Sequence, residues 1–186
     1  MAAAFGIMLF FLFIGFAIVI LITVLYLLNL QNTVKAAAPE NRKLAPGNVW
    51  IMIIPLVGTI YSFIAVRKIS ETIAAEYKSK GQVPDNPKPT LMTGMSMTIC
   101  RAVSWFISFF TLGDTIATYQ ASMAGDMEQL VSLSARQSGT LSFLSTMLGV
   151  AWLVLFIVYW VQTAGYKNKM KSLPSNNADS QIFGAY

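Results

Sequence analysis

The chain contains no histidine and a single cysteine, Cys100. Histidine is the commonest general base near neutral pH and the commonest metal ligand, so its absence counts against most hydrolytic and metal chemistry. One cysteine can form neither an intrachain disulfide framework nor a thiolate cluster. Charge is scarce too. Only 11% of the 186 residues are charged, against about a quarter in an ordinary soluble domain. With 55% hydrophobic residues and a mean hydropathy of +0.60, the shortfall points to a membrane protein. The net charge of +5 comes from basic residues beside apolar runs, with no aromatic interleaving. It reads as membrane topology and attraction to anionic lipid, and nucleic acid is not an expected partner.

What the sequence does have is long apolar runs. Residues 5–30 are nearly continuous Phe, Ile, Leu and Val, with Thr23, Tyr26 and Asn29 as the polar exceptions. This is too long for a signal-peptide core and lacks a basic flank, so it is expected to be a retained first span. Pro46-Gly47 is turn chemistry and Asn48 a good helix N-cap, which predicts a second span over 49–69. Pro55 has no backbone N–H to offer Ile51 and should kink this helix, with Gly58 close by. Arg67 and Lys68 would hold its far end among the headgroups. Beyond them an amphipathic extension is expected, with Ile69, Ile73 and Tyr77 on one face. Arg67/Glu71 and Glu76/Lys80 are opposite charges four apart, and Gly81 is a natural stop.

A third span is predicted over 91–112, with Arg101 near its middle. An arginine at mid-membrane costs roughly 2.5–3.5 kcal/mol even on the lenient insertion scale, so it should face protein or water. Every Asp and Glu lies outside the predicted spans, and Asp114 is about 20 Å away along a helix. Arg101 therefore needs carbonyls or hydroxyls of its own bundle, a lipid phosphate or a carboxylate of another chain, or its side chain snorkels inward. Met92, Met95, Met97 and Cys100 are soft ligands of the kind copper(I) prefers, but methionines on an apolar helix are more often packing material. Gly94, Thr98 and Ala102 form a small-residue stripe suited to close helix packing. In the connection that follows, Asp126 could cap a short helix carrying Met127, Leu130 and Val131. A fourth span is predicted over 140–166, with Trp152, Tyr159, Trp160 and Tyr166 as interfacial anchors and Lys167, Lys169 and Lys171 as its stop.

The expected fold is thus all-α and integral to the membrane. Residues 1–171 would form one domain of four transmembrane helices, with a cytosolic amphipathic extension of the second, and 172–186 a polar tail containing Ile182-Phe183. With four spans, Arg67, Lys68, Lys78, Lys80, Lys88, Lys167, Lys169 and Lys171 share one side, and Lys35, Arg42, Lys43 and Arg136 the other. The basic excess places both termini in the cytosol.

Arg42, Pro46-Gly47, Trp50, Pro55 and Arg67-Lys68, continued by Ile69-Ser70-Glu71, resemble the recurring pattern of a family of uncharacterised bacterial multi-span membrane proteins, a domain of unknown function. The resemblance covers roughly 41–77. This chain has Ile54 where the family often has an aromatic, and Gly58-Thr59 where it often has an asparagine. The resemblance implies a bacterial inner-membrane location and supplies no activity.

The functional expectation is a non-catalytic accessory or scaffold subunit of a larger membrane complex, with membrane lipids and other membrane subunits as partners and no cofactor or metal. Arg101, Pro55, Gly58, Arg67 and Lys68 are the candidate contacts to a partner or to lipid. The alternative is a small transporter, channel-like or lipid-binding protein with its site near the Pro55 kink and Arg101. Catalysis is not expected: Asp126 and Glu128 are paired acids, but they read as helix-start charges, and no nucleophile, base and oxyanion site are organised together.

Overall fold

Helices dominate because the apolar runs are long and lack the alternation of strands. A computed structural model describes residues 2–137 and 139–174. Six α-helices are present among them: α1 (Ala2–Lys35), α2 (Val57–Ser79), α3 (Leu91–Phe110), α4 (Leu112–Ala124), α5 (Met127–Gln137) and α6 (Thr140–Ser172). Two stretches of 3-10 helix, Pro39–Asn41 and Pro46–Ile53, lie between α1 and α2. The tail beyond Pro174, including Ile182-Phe183, lies outside the described residues.

Two helices are long and apolar enough to cross a membrane, over Leu9–Lys35 and Phe143–Ser172, and the bent pair α3–α4 qualifies as a third if it counts as one span. Large apolar side chains along α1, from Ile7 to Leu25, stand exposed on every side of the helix. A helix that is apolar all round and uncovered by its own protein is suited to lipid. These features mark an integral membrane protein.

The second predicted span is not a single helix. Asn48 does not cap it: the 3-10 helix begins earlier, at Pro46, and ends at Ile53. Pro55 does more than kink the chain, because the helix stops before it and restarts at Val57. Between them Leu56 adopts φ 64°, ψ −64°, and the Val57 N–H donates to the Pro55 carbonyl at 2.7 Å. This is a γ-turn of the rarer, strained hand. Gly58 is required next to it, since an added Cβ would run into the Met52 carbonyl. The helical pattern of 57–79 then holds, and α2 ends where Gly81 allows: its φ is 67°, and the N–H groups of Gly81 and Gln82 close onto the Lys78 and Tyr77 carbonyls.

The chain divides into two compact units, one formed by residues up to Leu91 together with those from Trp160 on, the other by Met92–Tyr159. In the first, the core gathers Tyr26, Leu27, Leu30 and Val34 of α1, Val49 and Met52 of the 3-10 helix, Ala65, Val66, Ile69, Ile73 and Tyr77 of α2, and Met170 of α6. Ile69, Ile73 and Tyr77 therefore face their own protein. In the second unit α4 and α5 pack on each other across Gly125. Asp126 caps α5 as expected, its Oδ1 accepting the Gln129 N–H at 3.0 Å. The helix α4 was not expected within this connection. Gly94, Met97 and Thr98 of α3 are buried.

Candidate functional site

The first unit is held together by two polar clusters. One surrounds Glu76, which is only 2% exposed. Its Oε2 accepts the Ala38 N–H and the Asn41 Nδ2, both at 2.8 Å, and Lys80 Nζ lies 3.1 Å from Oε1. Burial pushes this carboxyl up, but the Asn41 amide, the Ala38 N–H and Lys80 outweigh it, so its pKa falls below the ordinary glutamate value. Lys80 also donates to the Met170 carbonyl at 2.8 Å, and Asn41 to Ser79 Oγ. A carboxylate saturated by donors and held ionised is a staple between chain segments. It is poorly suited to act as a base.

The second cluster joins α1 to the last turns of α6. Asn29 Nδ2 donates to Thr163 Oγ1 at 2.9 Å, and Lys167 Nζ donates to Asn29 Oδ1 at 3.2 Å. Thr33 Oγ1 donates to the Asn29 carbonyl at 2.8 Å and lies 3.3 Å from the Thr163 carbonyl. Tyr26 and Trp160 meet edge to face at 5.9 Å, and Trp50 Nε1 reaches Gln31 Oε1 at 3.1 Å. These contacts bring the C-terminal ends of α1 and α6 together.

The residues singled out in the sequence are not gathered into one place. Pro55 and Gly58 form the break ahead of α2. Arg67 and Lys68 are on the outward face of α2 and pair with Glu71, at 2.9 and 3.2 Å; the Arg67 hydrogen bond is the main reason that the Glu71 pKa lies below its usual value. Arg101 belongs to the other unit, partly exposed on α3, and has no ion pair among the described residues. No group of three His, Cys, Asp or Glu that could hold a metal occurs among the described residues.

The sequence pairs Glu76 with Lys80, as observed, but not with Ala38 and Asn41, and it does not single out Asn29, Thr163 and Lys167 as a cluster. Asn29 carried a signal, as a lone amide in an apolar run. Thr163 carried none. No known protein family, curated protein or solved structure matches this chain.

Proposed function

We propose that this chain is a non-catalytic integral membrane protein, an accessory or scaffold subunit of a larger assembly. Arg101 is the observation that carries this reading. It lies ten residues into an apolar helix and has no acidic partner among the described residues. An intramembrane arginine is expensive unless something compensates it, and a carboxylate of a neighbouring chain would do so. The bacterial inner membrane is the location implied by the resemblance around 41–77.

The threading that fits the α1–α6 contacts has three crossings, by α1, by α3–α4 and by α6. If α6 ends on the side where α1 ends, it starts on the other side, and α3–α4 must make the return. The first unit then carries eleven of the thirteen basic residues, all except Arg101 and Arg136. By the positive-inside rule that face is cytosolic, and the start of α1 lies on the opposite side.

Gentle extraction from the native membrane, native sizing and identification of co-purifying chains test the subunit reading. A stoichiometric complex is expected, and the Arg101→Ala variant should fall out of it. A monodisperse monomer in mild detergent refutes it.

A further inference from the structure

We propose that residues 44–66 form a re-entrant hairpin whose tip is buried in lipid on the membrane face where α1 and α6 end. The hairpin would descend through the 3-10 helix, turn at Pro55-Leu56 and climb back along α2 without crossing.

Both ends of this segment are tied to one level of the first unit. The Lys43 N–H donates to Thr72 Oγ1 at 2.9 Å, and Ala38 and Asn41 bind Glu76. The chain that enters at Lys43 therefore returns beside its own starting point by Thr72. The direction of the tip follows from α6. Trp160 and Thr163 of α6 meet Tyr26 and Asn29 of α1, whereas Tyr166 and the Met170 carbonyl meet Tyr77 and Lys80 of α2. Residue numbers thus rise in the same sense along the three helices at this junction. Going back along each of them leads toward the apolar, uncovered part of α1 and, along α2, toward Val57.

The surface of that end has the composition of a lipid contact. Ile53, Ile54, Leu56, Val57, Ile60 and Ile64 are all exposed, Ile60 the most at 70%. The opposite stripe of α2, Gly58, Ser62, Ala65, Val66 and Ile69, is buried. On the exposed stripe, Val57, Ile60 and Ile64 give way to Arg67 and Lys68. This order, apolar and then cationic, matches hydrocarbon followed by phosphate headgroups. Arg67 to Val57 is ten residues, about 15 Å of helix, which is about one leaflet of a ~30 Å hydrocarbon core. The broken backbone does not forbid this placement, because most of its N–H groups are satisfied internally: Pro55 has none to satisfy, and those of Ile54, Val57 and Gly58 donate to the Ile51, Pro55 and Ile54 carbonyls, which leaves the Leu56 N–H at the turn. The occupant we assign to this surface is an acyl-chain layer with anionic headgroups, continuous with the lipid around α1. The inference is independent of the subunit reading.

The test is cysteine accessibility in the full-length chain on a Cys100→Ser background. Single cysteines replace Lys43, Lys78, Ile54 and Ile60, all exposed positions where folding should not be disturbed. Lys43→Cys and Lys78→Cys are expected to react with a membrane-impermeant maleimide from one face only, the same face for both. Ile54→Cys and Ile60→Cys are expected to stay unlabelled from either face. A fluorophore attached there after solubilisation should be quenched by brominated lipids once the purified chain is reconstituted in vesicles containing phosphatidylglycerol. Labelling of positions 43 and 78 from opposite faces would make the segment a true span and overturn the proposal. Labelling of 54 and 60 in vesicles of the purified chain, with shielding only in native membranes, would overturn it in favour of a protein partner. Shielding without lipid quenching, together with a 60–60 disulfide, would overturn it in favour of a second copy of the chain.

Discussion

Glu76→Ala should be among the most damaging single substitutions in the first unit. Its carboxylate closes the Pro39–Asn41 turn against α2 through three donors: the Ala38 N–H, the Asn41 amide and the Lys80 ammonium. Truncation leaves the Ala38 N–H without this acceptor and the Asn41 amide with Ser79 Oγ alone. Removing one partner of a buried ion pair costs about 3–5 kcal/mol. Lys80 is 20% exposed at its side chain and keeps the Met170 carbonyl. Its charge is therefore not stranded, and the lower end, about 3 kcal/mol, applies. For a chain of this size that corresponds to a fall of roughly 6–12 °C in Tm. Glu76→Gln keeps one carbonyl acceptor and should cost less, roughly 1–3 kcal/mol. The assay is the thermal midpoint of tryptophan fluorescence in mild detergent, with Glu71→Ala as the exposed-carboxylate control. If Glu76→Ala lowers the midpoint no more than Glu71→Ala, the staple reasoning is wrong.

The same group sets a pH dependence. A carboxylate whose folded pKa lies below its unfolded value binds fewer protons when folded, so its stabilisation is present above the unfolded value. It is lost as pH falls through the folded one. The midpoint of the parent chain should therefore drop as pH falls below the ordinary glutamate value of about 4.3, and Glu76→Ala should show a shallower drop.

Substitutions at three further positions probe the hairpin and the clamp by the same thermal assay. Gly58→Ala places a methyl against the Met52 carbonyl, a backbone atom that cannot swing aside, and should cost about 1–3 kcal/mol; an unchanged midpoint would mean that the 3-10 helix does not lie there. Leu56→Gly should be neutral or stabilising because it relieves a positive φ, whereas Leu56→Ile, branched at Cβ, should lower the midpoint. Equal effects of the two would remove the strain argument. Asn29→Leu removes one hydrogen bond of Thr163 and the acceptor of Lys167 and should cost about 1–2 kcal/mol. A wild-type midpoint would show that the α1–α6 clamp is not formed.

The helical class, the first apolar span, the Gly81 stop, the Asp126 cap and the Arg67–Glu71 pair were legible in the sequence because each depends on residues close together in the chain. Periodicity, turn chemistry and i,i+4 charge spacing are local rules, and tertiary packing did not override them here. What was not legible depends on partners far apart. Glu76 looks like any helix-surface acid until Ala38 and Asn41 are brought onto it across 38 and 35 residues. Thr163 looks like an ordinary small residue until Asn29 reaches it from 134 residues away.

The break in the helix expected over 49–69 has a more specific cause. Hydropathy counts how many apolar residues follow one another and is blind to the direction in which the chain carries them. Pro55 alone predicts a kink, because one missing N–H costs a helix one hydrogen bond. Pro55, a following residue at positive φ and Gly58 under the Met52 carbonyl together do something different: they reverse the chain. A reversed run of the same composition presents its apolar side chains at a tip. It returns its flanking charges, Lys43 and Lys68, to the side they came from. The basic residues also argue for the reversal. Under four alternating crossings Lys35, Arg42 and Lys43 would have to be exported, against the usual charge bias. Under the proposed threading they share one membrane face with Arg67, Lys68, Lys78, Lys80 and the lysines of α6, and that conflict does not arise.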